Sequence, residues 1–576
     1  MATHPLQALG EAIGGVGGDP RALQLSSLFQ GANDGPARTA AKLTGVQEPG
    51  KRADDGPYFT NNEGIPFPDG AHSKTAGEFG EDGSSFGAFG YFETTKDMSH
   101  LTKADFLKSP GLKTPVFMRF STVTLGREFP DLARNPRGFA IKFYTGEGNY
   151  DVPVFFCRDP IQGPDVIRSQ YRNPQNFLLD HNSLFDLLAN TPEGNHAALM
   201  YFSDHGTPVG WRNQHGYGCH TFKWVNKDGT FVYIKYHFLV DKGQKQFTAD
   251  EALQFGGQDP DFSKRDLWQA IEKGEQVSWT AHVQIMKPEE ADPRKLGFDP
   301  FDVTKVWPKK QFPLHRFGKL HFNKNPENYH RDVEQAAFSP GSMVPGIEDS
   351  PDPLLQFRMF FYRDAQYHRI GINLHQVPGI SPSYNYILLR KFLITRTVNC
   401  PFMASSYSSL NFDGPLRVDA NHAMNPQYAP NSFANKFRPD TAECPYALGD
   451  NTVSRKSHFY HEGKASEYEQ PRELYRRVMD AKSRARLHSN TARLLRLVEY
   501  QEIVVKYLVQ VYCVAGEYAK GVYELLPEPG FGFEEVERRV RGAAGVGKEK
   551  KFLPTDGEVL MGTCPKQPIY TEVDRV

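Results

Sequence analysis

The sequence predicts an α+β fold, with most strands in the first half of the chain and most helices towards its end. Three observations support this prediction. Short β runs separated by turn residues recur across residues 86–286. Residues 352–371 form one well-delimited helical segment, and residues 471–526 carry Leu, Val and Tyr at helical spacing. Strands and helices in separate stretches are typical of α+β folds rather than alternating α/β folds.

The strand predictions rest on alternating apolar residues. Val116, Met118 and Phe120 share one face of the first predicted strand, and Arg119 lies on the opposite face. Such alternation indicates a strand with one buried side and one polar or functional side. The predicted strands cover residues 114–122, 138–145, 152–158, 220–226, 230–240 and 277–286.

The remaining segments complete the predicted organisation. Residues 1 to about 57 are rich in Gly, Ala, Asp and Pro without a hydrophobic period, which predicts an irregular arm. Pro- and Asn-rich sequence from about 290 to 465 predicts an extended segment that wraps around the helix at 352–371. The predicted divisions are an N-terminal arm (1–75), a strand domain (76–330), a wrapping segment (331–465) and a helical domain with a tail (466–576).

Composition narrows the function. The chain has 576 residues, 39% of them hydrophobic, so it can bury a large core. A net charge of -1 favours neither nucleic acid nor an anionic membrane as a partner. The most apolar stretch, residues 504–515, is too short to span a bilayer and contains Lys506. Six scattered Cys lack zinc-site spacing, which predicts reduced thiols and an intracellular protein.

The helix predicted at 352–371 places a tyrosine between two arginines. At ~3.6 residues per turn, Arg358, Tyr362 and Arg369 project in nearly the same direction. A neighbouring cation favours a phenolate, and a phenolate can be the axial ligand of a ferric haem. Arg369 is placed to pair with a haem propionate. Taken alone, an aromatic helix of this kind is more often plain core, so the rest of the chain must decide.

Blocks of sequence throughout residues 60–530 decide in favour of a haem site. The blocks are GAFGYFE (87–93), RFSTV (119–123), NPRGFA (135–140), FFCRDP (155–160), RNPQ (172–175), FSD (202–204) and GYGCHTFK (216–223). With the helix at 358–371, they resemble the haem catalases. The resemblance implies a catalase fold, with an antiparallel β-barrel, a wrapping segment and a C-terminal helical domain. It also implies haem b, with Tyr362 as the iron ligand.

The same resemblance implies roles for other residues near the haem. Asp352, His220 and Arg358 match a proximal relay that keeps Tyr362 ionised. Arg119 matches a propionate partner. Phe156 matches an aromatic residue near the haem. Considered singly, each of these residues would more often be core or solvated.

A second implied site is a dinucleotide pocket. His196, Lys235 and Trp307 match positions at which catalases bind NADPH. His205 and Lys309 depart from the Arg and His that are usual there. NADPH is therefore an optional cofactor of the prediction.

The distal side departs from the family. Catalases use a distal His and Asn to move a proton between the two peroxide oxygens. This chain lacks both, because almost no sequence separates residues 77 and 87 and only Val152 separates 151 from 153. Residues 379–397 form an insert with clean edges. Two explanations are open: an error in the assembled coding sequence, or a protein whose haem pocket has been altered.

Two further departures suggest a particular branch. Residues 124–134 replace a short Gly-Ser-Ala-Asp turn, and Phe357 replaces a Gly. These features resemble the catalase-like enzymes of fungal ergot alkaloid biosynthesis, which act at chanoclavine formation. The main functional prediction is oxidative cyclisation of the indole precursor prechanoclavine, with dioxygen or peroxide as co-substrate. The alternatives are a peroxide-dismuting catalase and a catalytically dead haem-binding relative.

Assembly and location follow only from the resemblance. The family commonly forms homodimers or homotetramers. A peroxisomal or cytoplasmic location is predicted, although the final Asp-Arg-Val is not a Ser-Lys-Leu-type peroxisomal signal.

Overall fold

A computed structural model describes residues 58–60, 66–68, 85–123, 129–145, 148–151, 157–370 and 467–545. The strands are β1 (Tyr58–Thr60), β2 (Pro66–Pro68), β3 (Ser85–Thr94), β4 (Lys113–Thr122), β5 (Arg137–Thr145), β6 (Gly148–Asp151), β7 (Gly216–Tyr217), β8 (Phe222–Val225), β9 (Phe231–Val240), β10 (Val277–Met286), β11 (His315–Lys324) and β12 (Ile347–Glu348).

The helices are α1 (Gly163–Arg168), α2 (His181–Asn190), α3 (Asn195–Phe202), α4 (Ala249–Gln258), α5 (Phe262–Glu272), α6 (Pro293–Leu296), α7 (Pro353–Ile370), α8 (Glu469–Glu473), α9 (Ala481–Leu495), α10 (Gln501–Val514), α11 (Gly516–Tyr523) and α12 (Phe533–Gly545). Two π-helical turns, His330–Glu334 and Leu474–Val478, accompany them. Among the described ranges, no helix combines the length and the apolarity needed to cross a membrane.

One large antiparallel sheet forms the centre of the molecule. Its strand order is β12-β8-β9-β10-β11-β3-β4-β5-β6, and β7 pairs with β9. The sheet curls strongly, because residues of strands far apart in this order meet in one core. The ring of Phe139 on β5 lies 5.9 Å from Trp279 on β10 and 6.5 Å from Phe238 on β9. The predicted α+β class is confirmed, and the sheet is antiparallel and curled, as predicted.

Most predicted strands that fall within the described residues are present. The predictions at 277–286 and 230–240 match β10 and β9 closely. As expected from the alternation, Val116, Met118 and Phe120 lie in the core enclosed by the sheet. The strand predicted at 152–158 lies mostly outside the described residues, and residues 157–158 are not in a strand.

A central strand, β11, was missed within the segment that was predicted to be extended and wrapping. Ala281 pairs with Gly318 and His282 pairs with Arg316, so Phe317 is an extra residue in a β-bulge. The bulge interrupts the two-residue period of the inward-facing side chains. The sequence pattern of β11 therefore did not show the alternation that marked the other strands.

The C-terminal helices share their core with two helices from the middle of the chain. α10 supplies the centre of this core, and α2 and α3 pack against it. The Phe185 ring of α2 lies 4.8 Å from the Tyr507 ring of α10. Long-range packing of this kind leaves no local sequence signal.

A buried cluster of charges connects the loops beside the sheet with the C-terminal helices. The Arg158 guanidinium lies 2.9 Å from the Asp302 carboxylate and 2.5 Å from that of Glu467, and the Lys305 ammonium lies 2.5 Å from Glu467. A third carboxylate, that of Glu193, lies 4.0 Å from the Arg158 guanidinium, so two buried cations face three carboxylates. The cluster fixes the start of the C-terminal helices against the loops beside the sheet.

The described part of the predicted departure at 124–134 includes a residue with a structural role, Asp131. The Asp131 carboxylate accepts hydrogen bonds from the backbone N–H groups of Ser263 (3.0 Å) and Lys264 (3.1 Å) in the first turn of α5. Asp261, which precedes α5 directly, makes no side-chain capping bond. The helix is therefore capped by a residue that is distant in sequence.

We expect Asp131→Ala to lower the free energy of unfolding by ~1–2 kcal/mol, because the substitution removes this cap. Asp261→Ala is the matched control at the same helix end and should cost less than about 0.5 kcal/mol. Urea unfolding followed by circular dichroism measures both. Equal effects of the two substitutions would contradict the assignment of the cap to Asp131.

Candidate active site

The candidate site is built on the first half of α7. Asp352 is the N-cap of this helix, and its Oδ1 accepts hydrogen bonds from the backbone N–H groups of Leu354 and Leu355, both at 3.0 Å. The predicted start of the helix is confirmed. The helix ends at Ile370, and the residue proposed as its C-cap lies outside the described residues.

Four of the predicted residues form one continuous line of hydrogen bonds. Asp352 Oδ2 lies 2.7 Å from His220 Nδ1, and Arg358 Nη1 lies 2.6 Å from His220 Nε2. Arg358 Nη2 donates to the Tyr362 hydroxyl oxygen, and the guanidinium carbon lies 4.8 Å from the centre of the Tyr362 ring. His220, Asp352 and Arg358 are each at most 1% exposed. The line runs from a buried carboxylate to a phenol oxygen.

The protonation of His220 follows from its two partners. A guanidinium can only donate, so Nε2 must be the acceptor and Nδ1 carries the proton that is donated to Asp352. Burial lowers the pKa of His220, and the Asp352 carboxylate acts in the opposite direction. The imidazole is therefore neutral in a single tautomer, which fixes the orientation of Arg358.

We expect this burial to make stability depend on pH. The folded chain binds fewer protons at His220 than the unfolded chain does at pH values just below about 6.5, so stability falls as the pH drops through that range. His220→Gln should reduce the slope of unfolding free energy against pH by up to ~1.4 kcal/mol per pH unit. Urea unfolding between pH 4.5 and 7.5 measures the slope. His100→Gln, at an exposed position, is the control and should leave the slope unchanged.

Two neighbours of the line were missed by the sequence analysis. The Ser350 hydroxyl accepts from the Asp352 backbone N–H at 3.3 Å and donates to the Thr221 carbonyl at 2.5 Å. Both Ser350 and Thr221 are fully buried. They join the two chain segments that carry Asp352 and His220. Their only sequence signal is a polar residue one or two positions from His220 and Asp352, which is too weak to have identified them.

The surroundings of Tyr362 suit a haem. Its ring packs in a small apolar cluster with Phe361, and the rings of Phe357 and Phe361 stack at 5.2 Å. The side chain itself is only partly buried. Arg358 supplies a donor on one side of the hydroxyl oxygen, and a hard anionic oxygen is a suitable ligand for ferric iron. The donor set therefore fits the haem ligation that the sequence predicted.

The two predicted propionate partners, Arg119 and Arg369, make hydrogen bonds to other groups of the protein. Arg119 projects from the outer face of β4 and donates to the Ser85 hydroxyl at 3.2 Å. Arg369 donates to the backbone carbonyls of Glu334 and Ala336, which lie in and just after a π-helical turn. Each of the two arginine residues is partly exposed.

Most of the predicted distal departures lie outside the described residues, which include only 85–87 of the junction at 77–87 and only 151 of the junction at 151–153. Phe156 and the insert at 379–397 lie outside them as well.

The predicted dinucleotide residues come together around residues 300–307. Lys235 Nζ donates to the Lys305 carbonyl at 3.2 Å and lies 5.4 Å from the Trp307 ring. Burial and the nearby Lys305 ammonium lower the pKa of His196 to about 4. Lys235 is only 3% exposed, and burial lowers its pKa. The ammonium expected to meet a cofactor is thus enclosed within the protein.

His205 and Lys309, which differ from the residues usual in the dinucleotide pocket, make contacts with other residues. His205 Nδ1 lies 3.2 Å from the Gln246 amide nitrogen, and its pKa is lowered by burial. Lys309 is exposed and acts electrostatically on His215 and His237, whose pKa values burial lowers to about 4.

Comparison with known sequences gives the same family throughout. Residues 82–435 match a family model described as catalase, and residues 461–526 match one described as catalase-related immune-responsive. A catalase of Methanosarcina barkeri is 44% identical over 409 residues, 70% of this chain and 76% of the relative. A catalase of Mus musculus is 42% identical over 411 residues, 70% and 73% of the two chains.

Solved structures agree. A fungal catalase at 1.9 Å superposes with a TM-score of 0.67 at 35% identity, covering 78% of this chain and 88% of that one. Catalase A from Saccharomyces cerevisiae gives a TM-score of 0.66 at 35% identity, with 77% and 88% coverage. Fold and site thus define a haem oxidoreductase with the catalase fold. The chain belongs to the catalase family.

Proposed function

We propose that this protein binds haem b through Tyr362 and converts two molecules of hydrogen peroxide into two of water and one of dioxygen. The observation that carries the proposal is the buried hydrogen-bond line from Asp352 through His220 and Arg358 to Tyr362. The names of the relatives support the substrate, since those of Methanosarcina barkeri and Mus musculus are catalases.

Each member of the line has a defined task in this proposal. Arg358 donates to the Tyr362 oxygen and stabilises its anionic form beside the iron. His220 accepts from Arg358 and holds the guanidinium in place, and Asp352 fixes the tautomer of His220. Bound haem would supply the redox chemistry in which one peroxide is reduced and a second is oxidised.

Arg119, Arg369 and Phe156 complete the proposed haem site. Both residues carry a guanidinium, the group that matches a carboxylate geometrically, and both are partly exposed. Phe156 is proposed on the resemblance alone, as an aromatic contact of the haem.

The ergot alkaloid prediction is the weaker candidate. It rested on residues 124–134 and on Phe357. Asp131 now accounts for part of the first departure by capping α5, and Phe357 is 3% exposed and packs against Phe361. Asp131 and Phe357 thus have packing roles, and the relatives of Methanosarcina barkeri and Mus musculus are named catalases. Oxidative cyclisation of an indole precursor stays a prediction.

Three secondary predictions are not part of the proposal. NADPH binding is left out because the Lys235 ammonium is enclosed. A homodimer or homotetramer is the assembly expected of the family. Two relatives, from Pichia angusta and Toxoplasma gondii, are named peroxisomal catalases, which supports a peroxisomal location.

The test is to load the full chain with haem and to measure two activities. Rapid dioxygen release from hydrogen peroxide, recorded with an oxygen electrode, supports the proposal. Turnover of prechanoclavine without such release would favour the ergot pathway instead. Haem absorbance without either activity would identify the dead relative that the missing distal His and Asn suggest.

A further inference from the structure

A cavity of about 570 Å³ opens beside the start of β3, and the Tyr362 line is not part of its lining. It lies between α5 and the segment that precedes the π-helical turn at His330–Glu334. Phe86, Trp268 and Tyr329 line it, and polar and charged residues of α5, of the residue before it and of the π-helical turn complete its rim. This volume lies in the range of pockets that hold small organic molecules.

The aromatic walls are the distinctive feature of this cavity. Trp268 is 40% exposed, whereas the other four tryptophans of the chain are each at most 2% exposed. The Phe86 ring meets Trp268 edge-on, with ring centres 6.0 Å apart at 68°. Tyr329 is also exposed, at 37%. Two large rings that could have been buried instead face one open space, which suits another flat ring.

The two cations at the rim are paired with carboxylates, and the Glu334 carboxylate lies 2.5 Å from His330 Nδ1. Lys264 pairs with Asp261, and Arg265 makes two hydrogen bonds to the Asp259 carboxylate, at 2.8 and 3.2 Å. Because both cations are held by neighbouring carboxylates, the rim does not call for an anionic ligand. The wall chemistry therefore selects for an aromatic ring rather than for charge.

Two hydrogen bonds connect Tyr329 in the cavity wall to Arg119. The Tyr329 hydroxyl lies 2.9 Å from the Ser85 hydroxyl, which accepts from Arg119 Nη2 at 3.2 Å. A ligand that contacts Tyr329 is thus two hydrogen bonds away from a residue assigned to a haem propionate. That nearness to the haem rests on the proposed function, whereas the cavity itself does not.

We propose that this cavity binds a small, uncharged planar aromatic molecule that carries one hydroxyl or ring N–H group, of the phenol or indole class. The flat ring packs against Trp268 and Phe86. Its polar group contacts the hydroxyl of Tyr329 or the rim.

The test compares two shape-related probes on the full chain with haem. 4-Methylphenol should bind saturably at one site, and 4-methylcyclohexanol, which keeps the hydroxyl but lacks the flat ring, should bind at least about fivefold more weakly. Isothermal titration calorimetry measures both. Trp268→Ala should weaken 4-methylphenol binding by about tenfold, and Trp268→Phe, which keeps an aromatic wall, by no more than about threefold. Phe177→Ala, which removes a 74% exposed ring elsewhere, should change nothing.

A second measurement follows ligand binding in the unsubstituted chain and uses a variant only to assign the resonance. In chain labelled with 5-fluorotryptophan, 4-methylphenol should shift the fluorine resonance of Trp268, which Trp268→Phe identifies, and leave the four buried tryptophans unchanged. Equal affinity for both probes, or an unshifted Trp268 resonance, would overturn the proposal. The same spectra without haem keep this result separate from a failure of haem binding.

Discussion

Tyr362→Phe will abolish stable haem binding. The substitution removes the only atom through which this side chain can coordinate iron, while the ring that packs against Phe361 stays in place. We expect the affinity for haem to fall by more than about 100-fold, beyond the effect of losing a residue that only supports a ligand. Soret absorbance and the haem content of the purified chain measure the loss.

The control for Tyr362→Phe is Tyr171→Phe, at a tyrosine that is 39% exposed on a surface loop. This variant should keep its full haem content. Circular dichroism should show that both variants fold, since neither loses a ring. A Tyr362→Phe chain that retains full haem would refute the ligand assignment.

The second large effect is expected from Asp352→Ala. This substitution leaves the Nδ1 proton of His220 and two backbone N–H groups at the start of α7 without their acceptor. Breaking a buried polar network by removing one partner should lower the free energy of unfolding by ~3–5 kcal/mol. Urea unfolding of the haem-free chain measures the change without a contribution from the cofactor.

Two further variants separate the loss of the helix cap from the loss of the contact with His220. Asp352→Asn keeps one carbonyl oxygen, which can cap the helix or accept from His220 but cannot do both as the carboxylate does, so we expect an intermediate loss. Asp349→Ala, three residues earlier at a half-buried carboxylate that accepts from Gln356, should cost about 1 kcal/mol. Equal losses for Asp349→Ala and Asp352→Ala would show that the His220 line contributes little.

Local patterns predicted the parts of the fold that depend on local physics. The alternation of Val116, Met118 and Phe120 identified the core face of β4, and Asp352 identified the start of α7. The bulge at Phe317 concealed β11, because it disturbs the alternation on which the prediction depends. The capping of α5 by Asp131 was equally hidden, since 132 residues separate Asp131 from Ser263.

The candidate site likewise combines a contact that local spacing predicts with contacts that it does not predict. Helical spacing alone placed Arg358 and Tyr362 together, and they are in contact. His220 lies 138 residues from Arg358, so its place in the line came from the resemblance to catalases and not from any pattern in the sequence. The enclosure of Lys235 could not have been predicted, because it depends on how residues 300–307 fold over β9.

The most direct test of the central claim is a titration of the full haem-free chain with haem, followed by absorbance. If Tyr362 ligates the iron with the support of Arg358, we expect saturation at one haem per chain and the spectrum of a ferric phenolate complex. Saturation with the spectrum of another axial ligand, or no saturable binding, would contradict the account.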